Sequence, residues 1–80
     1  MKNMSTEMYY EELKNLSIEE LNKIQHQCSD KISHLYHEMG TAIAQNDKEK
    51  YKNLNNESIN IHNKLSAAII LINHKEQGLI

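Results

Sequence analysis

The chain has no proline, tryptophan, phenylalanine, valine or arginine, and only two glycines and one cysteine in 80 residues. Each gap argues against a class of protein. Sheets draw on Val and aromatic residues and turn on Gly and Pro, so an all-β fold is poorly supplied. A single cysteine excludes an internal disulfide framework and a cysteine-based zinc site. No apolar run approaches the roughly 18 residues that a membrane-crossing helix needs. The first residues also lack the apolar core of a signal peptide, which reads as a cytoplasmic protein without membrane partners. What is abundant is Ile, Asn and Leu, with nine Lys against eleven Asp plus Glu for a net charge of −2. Length and composition together predict a single all-α domain over residues 1–80.

The strongest local signal is Leu16-Ser17-Ile18-Glu19-Glu20-Leu21. Ser17 can accept from the free amides of a new helix, and Glu20 can reach back to the Ser17 amide, while Leu16 and Leu21 form a hydrophobic staple. Glu19 and Glu20 lie where the helix dipole favours negative charge. A helix start at Ile18 follows. From there apolar residues recur with heptad spacing, with Ile18, Gln25, Ile32 and Met39 at a and Leu21, Cys28, Leu35 and Ala42 at d. A second seam has Tyr51, Ser58, Leu65 and Ile72 at a, and Leu54, Ile61, Ala68 and Lys75 at d.

Between the seams, Asn46 tolerates the left-handed conformation that ends a helix and Asp47 is a strong N-cap. The capping-box spacing of Asn46 and Glu49 leaves either Asn46 or Asp47 as the cap. Antiparallel pairing sets each a residue of one arm level with a d residue of the other, at one constant register. Its midpoint falls between Asn46 and Asp47, so periodicity and capping chemistry agree on the same turn. The spacing predicts a long antiparallel helical hairpin, with arms over 18–45 and 47–76 and a tail over 77–80. Each arm is roughly 40 Å long at 1.5 Å per residue. Gly40 reads as a close-packing position near the turn, with a kink or an early helix end as alternatives.

The first residues form a separate, acidic unit. Five Glu against two Lys make residues 1–20 net −3. Ser5 or Thr6 can cap a short helix over 5–15 whose apolar face is Met8, Tyr9, Leu13 and Leu16. So short a helix is marginal alone and needs a surface to lie on. The end of the last helix offers one, because Ala67 to Ile72 is apolar all round and a helix buried on every side needs more than one neighbour.

Surplus apolar residues off the seam point to a further interface. Ile69, Ile70 and Leu71 fall at e, f and g, and Ile24, Tyr36, Ile43 and Ile59 lie along both arms. Small hairpins commonly cover such surface by assembling into a helical bundle as a homo-oligomer, or by receiving a partner protein. Ile69, Ile70 and Leu71 are the expected anchor, with Glu7, Glu11 and Glu12 as an acidic rim.

Reactive chemistry is sparse. His34 and His37 are one turn apart with Glu38 adjacent, but a zinc site needs a third and fourth ligand, and no metal is predicted. The five histidines read as solvated, and protonating all of them would take the net charge from −2 to about +3. Cys28 at a d position behaves as a small apolar residue. No Ser/His/Asp constellation, Gly-rich phosphate loop or paired acidic motif is present, so no catalytic residue and no cofactor is predicted. Lys48, Lys50 and Lys52 cluster at the turn with Asp47 and Glu49 interleaved, and with no Arg in the chain nucleic acid is disfavoured as a partner.

These features together predict a non-catalytic helical interaction module that pairs with itself and binds a larger protein, modulating or inhibiting it. Richness in Lys, Asn and Ile fits AT-rich coding, and a phage or mobile-element inhibitor of a host system is the concrete form. Two alternatives stay open. One is an RNA-binding regulator built as a dimer of hairpins, an architecture with that precedent. The other is a purely structural oligomerisation module.

Overall fold

The computed structural model describes residues 3–80, and among these it contains three helices and no strand: α1 Thr6–Leu13, α2 Ile18–Ala44 and α3 Lys48–Glu76. Helix α2 opens at the capping box the sequence spells out. The Glu20 amide donates to Ser17 Oγ at 3.1 Å, and the Ser17 amide donates to Glu20 Oε1 at 3.4 Å. Leu16 and Leu21 pack into the same apolar cluster, so the staple is also in place.

The turn between the arms divides its work between two residues. Asn46 takes the left-handed conformation, at φ 57°, and Asp47 is the N-cap, accepting from the Lys50 amide at 3.1 Å. The Asp47 amide donates to the Ala42 carbonyl at 2.9 Å and the Asn46 amide to the Ile43 carbonyl at 3.0 Å. That pair of bonds is the Schellman pattern, which satisfies the last carbonyls of a helix. Gly78, at φ 73°, ends α3 in the same way, with Leu79 donating to His74 and Gly78 to Lys75.

Helices α2 and α3 pack side by side over most of their length. Leu21 shares a buried cluster with Ile72, and Met39 shares a second with Leu54, as the register about the turn requires. Cys28, Ile32 and the small Ser58 continue the buried seam between these clusters. Its ends are open: Ile18 and Tyr51 are exposed, having neighbours on one side only.

Helix α1 packs chiefly along α3 and runs in the same direction, from Asn60 beside Met4 to His74 beside Tyr10. Helix α3 therefore buries two stripes, one for each neighbour. Ala68 and Ile72 belong to the seam with α2, while Ala67 and Leu71, both fully buried, lie off it under α1.

Two expectations are corrected. Tyr10 packs against the buried cluster while Met8 is exposed, because α1 is oriented by Leu13 together with Tyr10, one turn apart, and not by Met8. Gly40 neither breaks α2 nor packs closely within the chain, since a Cβ built there meets nothing within 4 Å. None of the helices is long and apolar enough to cross a membrane, among the described residues.

Removing the Ser17 cap by Ser17→Ala leaves the Glu20 amide unpaired and is expected to cost about 1 kcal/mol. For a domain of this size that lowers Tm by about 4–8 °C with the native helical dichroism retained. An unchanged Tm would show that the capping box does not hold the start of α2.

Candidate protein-interaction site

Helix α1 is strapped to α3 by polar groups at one end and an apolar plug at the other. The Met4 amide donates to Asn60 Oδ1 at 2.8 Å, Asn63 Nδ2 donates to the Met4 carbonyl at 2.9 Å, and Asn60 Nδ2 donates to Asn3 Oδ1 at 3.0 Å. Ser5 caps the helix by accepting from the Met8 amide. Further along, the Tyr10 hydroxyl and His74 Nδ1 share a hydrogen bond at 2.9 Å with the two rings edge to face. Leu13 closes the end, buried against Leu21, Leu71 and their neighbours.

This strapping decides what lies on the outside. Glu7 and Glu11, one helical turn apart, stand above one another on α1. With Thr6 and Tyr10 they border a shallow hollow whose floor includes Ile70 of α3. Ile70 remains 38% exposed there. The structure thus brings one predicted anchor and two predicted rim carboxylates together. The Glu11 carboxylate also holds Lys14 Nζ at 2.6 Å, and that pairing raises the Lys14 pKa. Glu7 makes no ion pair among the described residues.

The remaining predicted residues are dispersed. Leu71 is fully buried in the core under α1 and presents no surface, and Ile24 is half-buried against the same cluster. Glu12 borders no part of the Ile70 hollow and lies on the Tyr9 side of α1. The Tyr9 pKa is raised by burial, with the charges of Glu12 and Cys28 adding to the effect. Tyr36, Ile43, Ile59 and Ile69 are exposed away from the hollow, and the Tyr36 hydroxyl shares a 2.8 Å hydrogen bond with His62 Nε2.

Sequence reasoning missed Tyr10, Asn60, Asn63 and His74. A signal for two of them existed: Asn60 and His74, with Ala67 between them, recur at seven-residue steps on α3, outside the seam with α2, and mark a second packed stripe.

The reactive side chains do not converge. Among the described residues no group of three or more His, Cys, Asp or Glu gathers as a metal site would require. His34 Nε2 lies 3.6 Å from Glu38 Oε1 on the surface. Lys48, Lys50 and Lys52 are exposed at the turn. Burial pushes the Cys28 thiol above its ordinary value of 9.0, and Lys64 and Lys31 draw it only partly back. No family model, curated protein or solved structure matches the chain.

At pH 8 Cys28 is a buried, protonated thiol, so iodoacetamide is expected to modify it many-fold more slowly in the native chain than in the urea-unfolded one. Equal rates would contradict its place in the seam. The same shift sets a pH window. Folding favours the protonated thiol, so its contribution is complete below pH 9.0, the unfolded value, and is lost as pH rises through the higher folded value. Denaturation midpoints should fall from about pH 9 upward.

Proposed function

We propose that this chain is a non-catalytic interaction module that docks a larger protein at the Ile70 hollow and modulates or blocks it. One observation carries the reading: an exposed apolar side chain sits in a depression rimmed on one side by Glu7 and Glu11. Such a surface suits a partner segment with one apolar residue to seat on Ile70 and basic residues beside it. The apolar contact supplies most of the affinity, and the carboxylates select the partner and speed its approach. Because α1 and α3 are already ordered, docking there costs little further ordering. Richness in Lys, Asn and Ile supports a phage or mobile-element source, with a host protein as the target.

Replacing Ile70 by Glu puts a charge where the partner's apolar group must sit. Ile70→Glu is expected to lower partner affinity at least about 100-fold, a loss of about 2.7 kcal/mol, while leaving helicity and Tm close to wild type. Affinity-capture with both proteins, followed by titration of the captured partner, measures this. A partner held equally by both chains would overturn the proposed site. A partner lost instead on replacing Lys48, Lys50 and Lys52, with affinity falling steeply in salt, would identify the chain as a nucleic-acid binder.

A further inference from the structure

The two flanks of the α2–α3 hairpin differ in kind. One is closed by α1 at the open end, and nearer the turn it carries the Lys31–Glu57 ion pair at 3.3 Å. The opposite flank is marked by the Tyr36–His62 hydrogen bond, which joins the e positions of the two arms. Along its α2 side, from Asn22 to Ile43, the e and b positions hold no Lys, Asp or Glu. The same is true along its α3 side from Asn55 to Asn73. In a chain that is 25% charged, a flank of two helices free of fixed charge is what the centre of a protein interface needs. Large and small residues alternate on it. Ile43 is 65% exposed, Tyr36 52%, Ile59 42% and Ile69 40%, while the small residues Ser33, Gly40 and Ser66 lie among them, exposed.

We propose that this flank is where two copies of the chain pair, head to tail, about a twofold axis crossing the hairpin midway between the levels of Tyr36 and His62. The pattern is self-complementary about that level. Ile43 lies one heptad from Tyr36 toward the turn, and Ile69 lies one heptad from His62 toward the open end, each about 10 Å away along the axis. A twofold rotation sets Ile43 of one copy level with Ile69 of the other, twice over. It also sets Ile59 of each copy at the height of Ser33 of the other, large against small. Gly40, where an added Cβ would meet nothing within 4 Å, gains a neighbouring helix in this arrangement.

Areas agree with a second copy as the occupant. The chain exposes 5615 Å², whereas a compact monomer of 9.3 kDa exposes about 5,000 Å². Its radius of gyration is 14.6 Å, against about 11.6 Å for a compact chain of this length. The flank is two helix diameters wide, about 20 Å, and its uncharged stretch is about 30 Å long. That is about 600 Å² per partner, at the low end of the range for a stable interface. Pairing there leaves Ile70, on the outer side of α3, free, so this proposal does not depend on the docking site above.

The test is the molar mass of the full chain by light scattering after size exclusion, over a wide concentration range. Wild type is expected at twice 9.3 kDa, and Ile69→Glu and Ile59→Glu are each expected to halve the mass with helical dichroism retained. The double variant Ile43→Lys/Ile69→Glu is expected to recover the dimer, because head-to-tail pairing sets the two new charges against each other across the interface. Ile70→Glu is expected to leave the mass unchanged. A wild-type monomer at every concentration overturns the proposal, as does a dimer that survives both Ile59→Glu and Ile69→Glu or is broken by Ile70→Glu. Failure of the double variant to recover the dimer overturns the head-to-tail arrangement.

Discussion

All three helices come together around Leu21, Leu71 and Ala68, and the stability of each element depends on that junction. Helix α1 has eight residues, too few to persist alone in water. It is helical because Ser5 caps it and because Leu13 and Tyr10 find α3 beneath them. Helix α3 in turn carries apolar side chains on more than one side of its last turns, and Ala67 and Leu71 are dry only because α1 lies over them. Burying a Leu side chain contributes about 1.5–3 kcal/mol, a sizeable share of the stability of so small a domain. The asparagines at positions 60 and 63 add direction to this burial, since their amides hold the chain just before α1 and set where the helix lies.

From this junction follows the asymmetry of the molecule. Covering one flank of the hairpin displaces the Ile70 surface to the outer groove between α1 and α3, where Glu7 and Glu11 meet it. The other flank keeps no cover among the described residues, and there the sequence withholds fixed charge over several turns of both arms. These surfaces face different directions and differ in chemistry. One is small, apolar at its floor and acidic at its edge, suited to a basic partner segment. The other is long, neutral and self-complementary. On the two proposals together, a pair of chains presents two Ile70 hollows, and a partner with repeated sites would gain affinity through both.

Polar chemistry in the interior serves position. Cys28 is held protonated by burial, and Tyr10 and His74 tie α1 to α3. The other aromatic–histidine pair, Tyr36 and His62, bridges the arms at the surface. No buried side-chain polar atom lacks a partner among the described residues.

The amino-acid sequence by itself determined the hairpin. Capping chemistry at Ser17, Asn46 and Asp47 acts over three or four residues, and apolar recurrence acts along a single helix, so both can be read without knowing what packs where. The register followed from the same local information, because a tight turn leaves an antiparallel pair one way to align. Only the tertiary structure decided which way α1 faces, and hence that Tyr10 packs against the core, Met8 lies outside, Leu71 is core and Ile70 surface. Those distinctions depend on a third helix choosing one side of α3, and that choice is made by side chains far apart in sequence: Asn60 and Asn63 with Met4, His74 with Tyr10, Leu13 with Leu71. Gly40 illustrates the same limit, since a glycine within a helix signals close approach only once its neighbour is known. Local periodicity names the residues that want to be buried; the arrangement of the helices in space decides which of them are.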